Sequence, residues 1–470
     1  MSLLQDSPIA AQSHTPVPKR RVLVVTYTFP PVGGAGVQRI TKFVKYLNHF
    51  GWEPTVLTVA NPSVPLYDQS LLADVPANTE IIQARSWEPN YKLKSIGKGD
   101  SSTTVPLKYS IKRVLLATAR TAAGIVMQPD PQILWYPGAV AAGKKALRTS
   151  RFDAILATAP PFSTLLVGRA LARASGLPLV VDYRDEWTIS NKYWENKQLG
   201  FLSSGLQTRM ENSVLRAASA VVATTRASAE SLAARCASAR AQAQVEWIYN
   251  GFDADDFTEL APLERDRSLF RIVYTGTLWN LTSAVPLLES LRRLAAQSPE
   301  LVKRVEVVFV GRCTASQRQY VDALRTLPCK VVVHDYLDHA EALRYLGSAD
   351  AQCLLLSDVP GSDRVVPAKL FEYVASQQPI LALLPRGEAW QLLKDVPHAS
   401  RFVPSDIAGI TGWLATTLER GTQESSLPNA LIPAGFDRKS QASQLANVLS
   451  AVVDSAGRHI SKTAFLSPIV

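Results

Sequence analysis

An α/β protein of two Rossmann-like, doubly wound domains facing a central cleft is the architecture that this sequence predicts, and three observations carry the prediction. At 470 residues the chain exceeds what one hydrophobic core ordinarily organises, so two domains are expected. A unit of apolar strand, glycine turn and amphipathic helix stands near the start of the chain and recurs past its middle. Short apolar runs alternate with helical patterns through both halves, which is the pattern of parallel βαβ units.

The first half opens with the strand "RRVLVVTYTF", the turn "PPVGGAG" and the helix "VQRITKFVKYLNHFG". Ile40, Phe43, Val44 and Leu47 keep the spacing of one helical face, and Gly51 ends that helix before the strand "EPTVLTVA". "FDAILATA", "LPLVVDYR" and "SAVVATT" supply further strands, with alanine-rich helical stretches between them, while residues 62–138 are irregular and carry no assignment. The acidic connector "DADDFTELAPLERD" separates the halves. In the second half "FRIVYTGTL", "RVEVVFVGR", "KVVVHDYL", "AQCLLL" and "PILALLP" are strands, and "AVPLLESLRRLAAQ" is a helix. The expected division is a disordered lead-in at 1–19, a first Rossmann-like domain at 20–250, a linker at 251–267, a second Rossmann-like domain at 268–430, and at 431–470 a helix packing back on the first domain, with a tail that frays beyond Ala456.

Composition narrows the function. A formal charge of +10 favours an anionic partner. Cys236, Cys313, Cys329 and Cys353 form no CxxC pair and read as free thiols of a reducing compartment. The N-terminus lacks the apolar core of a signal peptide. "RVLLATARTAAGIVMQ" is too short for a membrane span and carries Arg120 at its middle, so no transmembrane helix is expected. Nucleic-acid binding is disfavoured, because no basic helix with interleaved aromatics is present.

Four constellations could carry chemistry. In "FPPVGGAGVQR", glycines between strand and helix let a backbone approach an anion. Gly34 and Gly36 fit the first two places of a dinucleotide fingerprint, but the third falls on Arg39 and no acid ends the next strand, which argues against NAD. "VVDYRDEWT" sets Asp182, Arg184, Asp185 and Trp187 at the carboxyl end of a strand, where open α/β sheets bind ligands. An ion pair of Arg184 with either aspartate would be the purely structural account, and no third ligand supports a metal. "IYNGFDADDF", "YTGTLWN" and "VFVGRC" each follow an apolar run with glycine. In "PAKLFEYVASQQPILALLP", Lys369 falls in the first turn of a helix, where a cation opposes the macrodipole unless an anion is bound there. Glu372, one turn on, is either its surface salt-bridge partner or an acceptor for the two hydroxyls of a ribose.

In their order along the chain, "FPPVGGAGVQR", "TAPPFS", "DYRDEW", "IYNGFDADDF", "YTGTL", "VGR" and "PAKLFEYVASQQPILAL" resemble the GT-B retaining glycosyltransferases of glycosyltransferase family 4, the group 1 sugar transferases, and more narrowly bacterial members that build cell-surface polysaccharide or lipopolysaccharide. The resemblance covers about Arg20 to Val453. It implies a nucleotide diphosphate sugar on the second domain, an acceptor hydroxyl presented by the first, and transfer with retention. By it, Glu372 would bind the donor ribose and Lys369 the diphosphate, with backbone N–H groups near Val366 and Gly34, and with Gly276, Thr277 and Arg312 lining the same site. Gly33, Gly36 and Arg39 would lie on the acceptor side, and Arg184 and Asp185 in the catalytic part of the cleft. No metal and no cofactor beyond the donor substrate are implied.

Three departures qualify the carry-over. The family's usual pair of glutamates would place the first eight residues before Glu372, where this chain has Arg364, with Asp363 beside it. "YTGTLWNLTSAVPLL" lacks the family's common cation after the second-domain glycine turn, so Arg364, Arg312 and Lys369 are expected to compensate. A histidine common at the end of a first-domain strand is replaced by the run from Asp182 to Asp185. The expected function is sugar transfer to a glycan, lipid-linked, at the cytoplasmic face of the plasma membrane. The basic run "YKLKSIGKGDSSTTVPLKYSIKR" would touch anionic head groups or form a solvated loop. A non-catalytic scaffold of the same fold in a glycan assembly complex and a sugar-nucleotide epimerase are the alternatives.

Overall fold

The computed structural model describes residues 19–89, 127–187, 200–258, 260, 261, 263–421 and 432–464. The lead-in before Lys19 and the basic run at 91–113 lie outside them.

Along the first half the elements are β1 (Arg20–Val25), α1 (Ala35–Leu47), β2 (Trp52–Val59), β3 (Glu80–Ala84), α2 (Tyr136–Thr149), β4 (Ala154–Ala159), α3 (Ser163–Ser175), β5 (Leu179–Tyr183), α4 (Phe201–Leu215), β6 (Ala220–Ala223), α5 (Arg226–Ser238) and β7 (Gln244–Trp247). They build a parallel sheet in the order β3-β2-β1-β4-β5-β6-β7. The second half runs β8 (Phe270–Thr275), α6 (Val285–Gln297), α7 (Pro299–Lys303), β9 (Val305–Val310), α8 (Ala315–Leu324), β10 (Lys330–His334), α9 (His339–Gly347), β11 (Ala351–Leu355), α10 (Lys369–Ala375), β12 (Ile380–Leu383), α11 (Glu388–Leu392), β13 (Ala399–Phe402), α12 (Ile407–Arg420) and α13 (Arg438–Ala464). Its sheet is parallel in the order β10-β9-β8-β11-β12-β13.

Strands β3, β7 and β13 are not among those that apolar runs predict, and all three are sheet edges. An edge strand faces water along much of its length, so β3 and β7 bury little and carry no continuous apolar run. The central strands β4, β5, β8 and β9 are buried at every position. Helices cover both faces of each sheet, as in doubly wound folds.

Helix α13 begins in the second half and returns to the first. Ala442, Leu445, Leu449 and Val452 pack with Ile40, Phe43, Val44 and Leu47 of α1; each fully buried leucine contributes about 1.5–3 kcal/mol. The helix continues to Ala464, past Ala456, where fraying is expected from sequence. Gly251 serves this return: a Cβ there would lie 2.2 Å from both the Gln441 amide nitrogen and the Phe436 carbonyl. The glycine of "NGFD" is thus fixed by packing of the chain on itself.

The acidic connector is also docked. Asp253 and Asp256, with Asp74 of the first half, lie 2.7, 2.6 and 2.8 Å from the buried Lys42 ammonium. These carboxylates are close enough to share a cation, and the lysine supplies it. Burial alone would raise the Asp253 carboxyl, yet hydrogen bonds from Lys42, Tyr46 and Lys45 hold it down to about 2.

Candidate functional site: the cleft between the two sheets

The carboxyl ends of both sheets face one cleft of about 800 Å³. Parallel strands end there in irregular loops, so backbone groups and charged side chains stay available to a ligand. From the first domain the cleft takes Gly33, Gly34, Gly36 and Arg39 after β1, and Arg184 and Asp185 after β5. From the second it takes Gly276 and Thr277 after β8, Arg312 after β9, and Arg364, Val366, Lys369 and Glu372 at α10. These thirteen residues inferred from sequence line the same cavity, whereas Asp182 and Trp187 of "DYRDEW" are buried outside it.

Lys369 is the most unusual of them. Its Nζ donates to the Tyr274 hydroxyl at 2.8 Å and lies 4.2 Å from the centroid of that ring. The Tyr274 hydroxyl passes its own hydrogen to the Thr277 carbonyl at 2.9 Å. Gly276, at φ 120°, leaves the space: a Cβ there would stand 2.1 Å from the lysine nitrogen. Among the described residues no carboxylate lies within ion-pair reach of Lys369, so the surface bridge to Glu372 is not formed. Burial lowers the Lys369 ammonium to about 7, with partial compensation from the Glu372 charge.

Glu372 turns instead to His339, whose Nε2 is 3.0 Å from Oε1. His339 opens α9, behind the N-cap Asp338, and its Nδ1 is 3.8 Å from Asp256. Burial alone would lower the imidazole, but the hydrogen bond to Glu372 and the charges of Glu372 and Asp256 raise it. One carboxylate oxygen is thereby oriented, and Oε2 accepts no hydrogen bond among the described residues. Sequence reading misses His339; its signal is a histidine directly after a capping aspartate at the carboxyl end of a strand.

The first-domain charges are organised differently from the simple strand-cap account. Asp182 pairs with Arg39 at 2.9 Å, both 1% exposed, and accepts from the Thr158 hydroxyl at 2.8 Å. The register places Thr158 opposite Asp182 on β4 and β5. Arg39 also donates to the Tyr249 carbonyl at 2.8 Å, so its guanidinium is spent inside the wall of the cleft. Arg184 is not the partner of Asp182; it donates to the carbonyls of Gly36 and Pro160.

Arg364 reaches across the cleft. Its Nη1 is 3.2 Å from Oε1 of Glu186, a residue 4% exposed that also holds Arg235 and the Ser231 hydroxyl. Glu186 stands in "DYRDEW" without any local feature that distinguishes it from its acidic neighbour Asp185. Two further contacts join the domains: Tyr336 donates to Asp68 at 2.8 Å, and the Glu388 carboxylate accepts from the Arg226 and Ala227 N–H groups that open α5.

Comparison with known proteins now bears on this geometry. Residues 33–251 match the family described as the glycosyl transferase 4-like domain. No curated protein sequence matches the chain. Among solved structures, HepE of Anabaena in complex with UDP and glucose is 16% identical with a TM-score of 0.53, the match covering 94% of this chain and 100% of that one. The α,α-trehalose 6-phosphate synthase of Burkholderia multivorans is 13% identical with a TM-score of 0.56, covering 96% and 100%. The trehalose-6-phosphate phosphatase N-terminal domain of Candida albicans is 13% identical with a TM-score of 0.54, covering 96% and 97%. At these identities the structural likeness speaks for the fold: two parallel-sheet α/β domains in the GT-B arrangement, the first of them matching a glycosyl transferase 4-like domain.

Proposed function

We propose that this protein is a glycosyltransferase that moves a sugar from a nucleoside diphosphate donor to a glycan acceptor. The observation that carries the reading is Lys369, a cation withdrawn from water without a carboxylate partner and set against the Gly276 turn. An unpaired buried charge is costly, and an anion of matching size relieves it. A diphosphate at Gly276 fits that requirement, with Arg312 on the same rim and the backbone near Val366 and Gly34 as further donors. Glu372, held by His339, keeps one oxygen for the hydroxyls of a ribose. That HepE, which shares the fold, was crystallised with UDP-glucose supports this choice of donor class.

In this reading the departing diphosphate is stabilised by Lys369 and Arg312 already in place, which lowers the barrier without rearrangement of solvent. Arg184 and Asp185 line the acceptor approach beside Gly33 and Gly36, and Arg39 acts through Asp182 by fixing the wall behind them. The reaction is read as retaining and metal-independent, and the acceptor as a lipid-linked glycan of cell-surface polysaccharide or lipopolysaccharide assembly at the inner membrane face. The charge of +10 supports the membrane-side part, as does Trp87, 81% exposed shortly before the basic run. Among the described residues no helix is long and apolar enough to cross a membrane.

The test is saturation binding of uridine and guanosine diphosphate sugars to the wild type and to Glu372→Ala; unchanged donor affinity in the variant would sink the assignment. The scaffold reading draws on one observation, the Arg364–Glu186 bridge in place of a free carboxylate. Hydrolysis of a nucleotide sugar by the purified protein without acceptor counts against it. Mass spectrometry of lipid-linked intermediates in a strain lacking the protein identifies the acceptor.

A further inference from the structure

We infer that the first domain carries a second anion site, remote from the cleft, in which Arg169, Arg173 and Arg216 receive a phosphate-bearing group. The three line a pocket of about 270 Å³ together with Gly176, Leu177 and Ser213. The pocket lies at the amino end of β5, beside Leu177, whereas the cleft opens beyond the carboxyl end of the same strand.

Arg169 and Arg173 are one turn apart on α3, where like charges repel, and Arg216 follows the last turn of α4 opposite them. Among the described residues none of the three has a carboxylate within 4.0 Å, and none donates a side-chain hydrogen bond. Arg169 is half-buried, with the exposed Arg173 and Arg216 at its rim, whereas other arginines that are largely withdrawn from solvent have an acid: Arg235 has Glu186 and Glu211, Arg265 has Asp350, and Arg271 has Glu306. At Arg169 burial disfavours the charged guanidinium, and the neighbouring charges of Arg173 and Arg216 disfavour it further.

Attraction to helix ends explains part of this cluster. Arg173 and Arg216 sit at helix C-termini, where a cation is favoured. Yet Arg169 is in mid-helix, and the terminal carbonyls have other donors: Gly176 N–H reaches Ala172, and the Ser175 hydroxyl reaches Leu171. Three planar forks without an acid between them match an ion that presents several oxygens and at least two charges, which describes a phosphate monoester or diphosphate. Such a group can be free in solution or the head of a lipid, and both present the same oxygens.

The experiment uses the full chain and inorganic pyrophosphate as probe, by titration calorimetry on the wild type, on Lys369→Gln and on the double variant R169Q/R216Q. A binding event that survives Lys369→Gln and weakens by about tenfold or more in the double variant is expected, since two of three charge-assisted contacts are lost. Because Lys369→Gln takes the cleft's buried lysine out of the comparison, this result does not depend on the donor reading. Flotation with phosphatidylcholine vesicles, with and without phosphatidic acid, a lipid phosphate monoester, distinguishes the sources: loss of anionic-vesicle binding in the double variant assigns a headgroup, and loss confined to pyrophosphate assigns a soluble ligand. R169K/R216K, which keeps the charge and removes the forks, is expected to fall between the two, and melting curves of all variants establish folding. Superimposable titrations and flotation for wild type and double variant, with no tungstate peak among the three guanidinium groups in soaked crystals, overturn the inference.

Discussion

Replacing Lys369 by glutamine is expected to abolish the pH dependence of donor binding, and the size of that dependence follows from the site. In the ligand-free cleft the ammonium titrates at about 7, because burial beside Tyr274 and Gly276 disfavours its charge. A diphosphate beside it favours the charged form, so the bound lysine titrates well above 7. The sign is then fixed: binding takes up a proton, and affinity falls as pH rises. At pH 6 about ten lysines in eleven are protonated before binding, and at pH 8 about one in eleven, so wild-type affinity should drop by about tenfold across that interval, roughly 1.4 kcal/mol. Each phosphorus of a nucleoside diphosphate sugar carries one ester and one anhydride bond and a single strongly acidic oxygen, so both stay ionised throughout and the ligand adds no slope. The neighbours contribute little: the Cys353 thiol is pushed up to about 12 by burial, and the Tyr274 and Tyr373 hydroxyls are raised further. His339, on the far side of Glu372, is the control for this reading. Calorimetry with a uridine and a guanosine diphosphate sugar, in two buffers of different ionisation enthalpy, reads affinity and proton uptake together. A flat wild-type profile would refute the reasoning, as would a slope that persists in Lys369→Gln and disappears in His339→Gln.

Three further outcomes follow from the same geometry. Glu372→Ala removes the acceptor for the ribose, a loss of about 1.5–3 kcal/mol or roughly 10- to 150-fold in nucleotide affinity, read by titration with the nucleoside diphosphate. Lys369→Met should stabilise the ligand-free protein while it destroys donor binding. The unfolded lysine titrates near 10.5 and the folded one near 7, so the native state loses stability as pH falls between those values. The gain at neutral pH is bounded by roughly 4 kcal/mol and expected near 1–3 kcal/mol, and it should vanish in alkaline solution when followed by urea unfolding. Arg39→Ala strands the Asp182 carboxylate in a wall where both partners are 1% exposed, at a cost of about 3–5 kcal/mol in the same assay.

How much of the fold can be read from sequence depends on where an element sits. Strands β1, β4, β5, β8 and β9 are covered on both faces, so each carries an apolar run that announces it, and the buried charges within them, Asp182, Arg271 and Glu306, are paired. Of the four edges, β10 keeps an apolar run and is legible, whereas β3, β7 and β13 answer mainly to a neighbour's hydrogen bonds, which impose no composition. The glycine turns divide in the same way. Gly251 and Gly276 look alike in sequence, since both follow apolar runs, but a Cβ on one would meet the returning chain before α13 and on the other the Lys369 ammonium. Only the packing separates a structural glycine from one that makes room for the site.

The charges of the cleft show the complementary limit. Lys369 could be singled out because a cation in a first helical turn among apolar neighbours is locally inconsistent, and local inconsistency is visible along the chain. Partnerships between distant residues are not. Position 364, read alone, has lost an acid, and position 186 is one acidic residue among several. Together they form a bridge of 3.2 Å between domains, in which the second domain supplies the cation and the first the carboxylate. Glu186 is further neutralised by Arg235, so its charge serves the closed wall of the cleft more than a ligand within it. The replacement at Arg364 is therefore one half of a charge pair, and among the described residues Lys369 remains a buried cleft cation with no carboxylate partner. That imbalance, more than any single motif, is what a diphosphate would resolve.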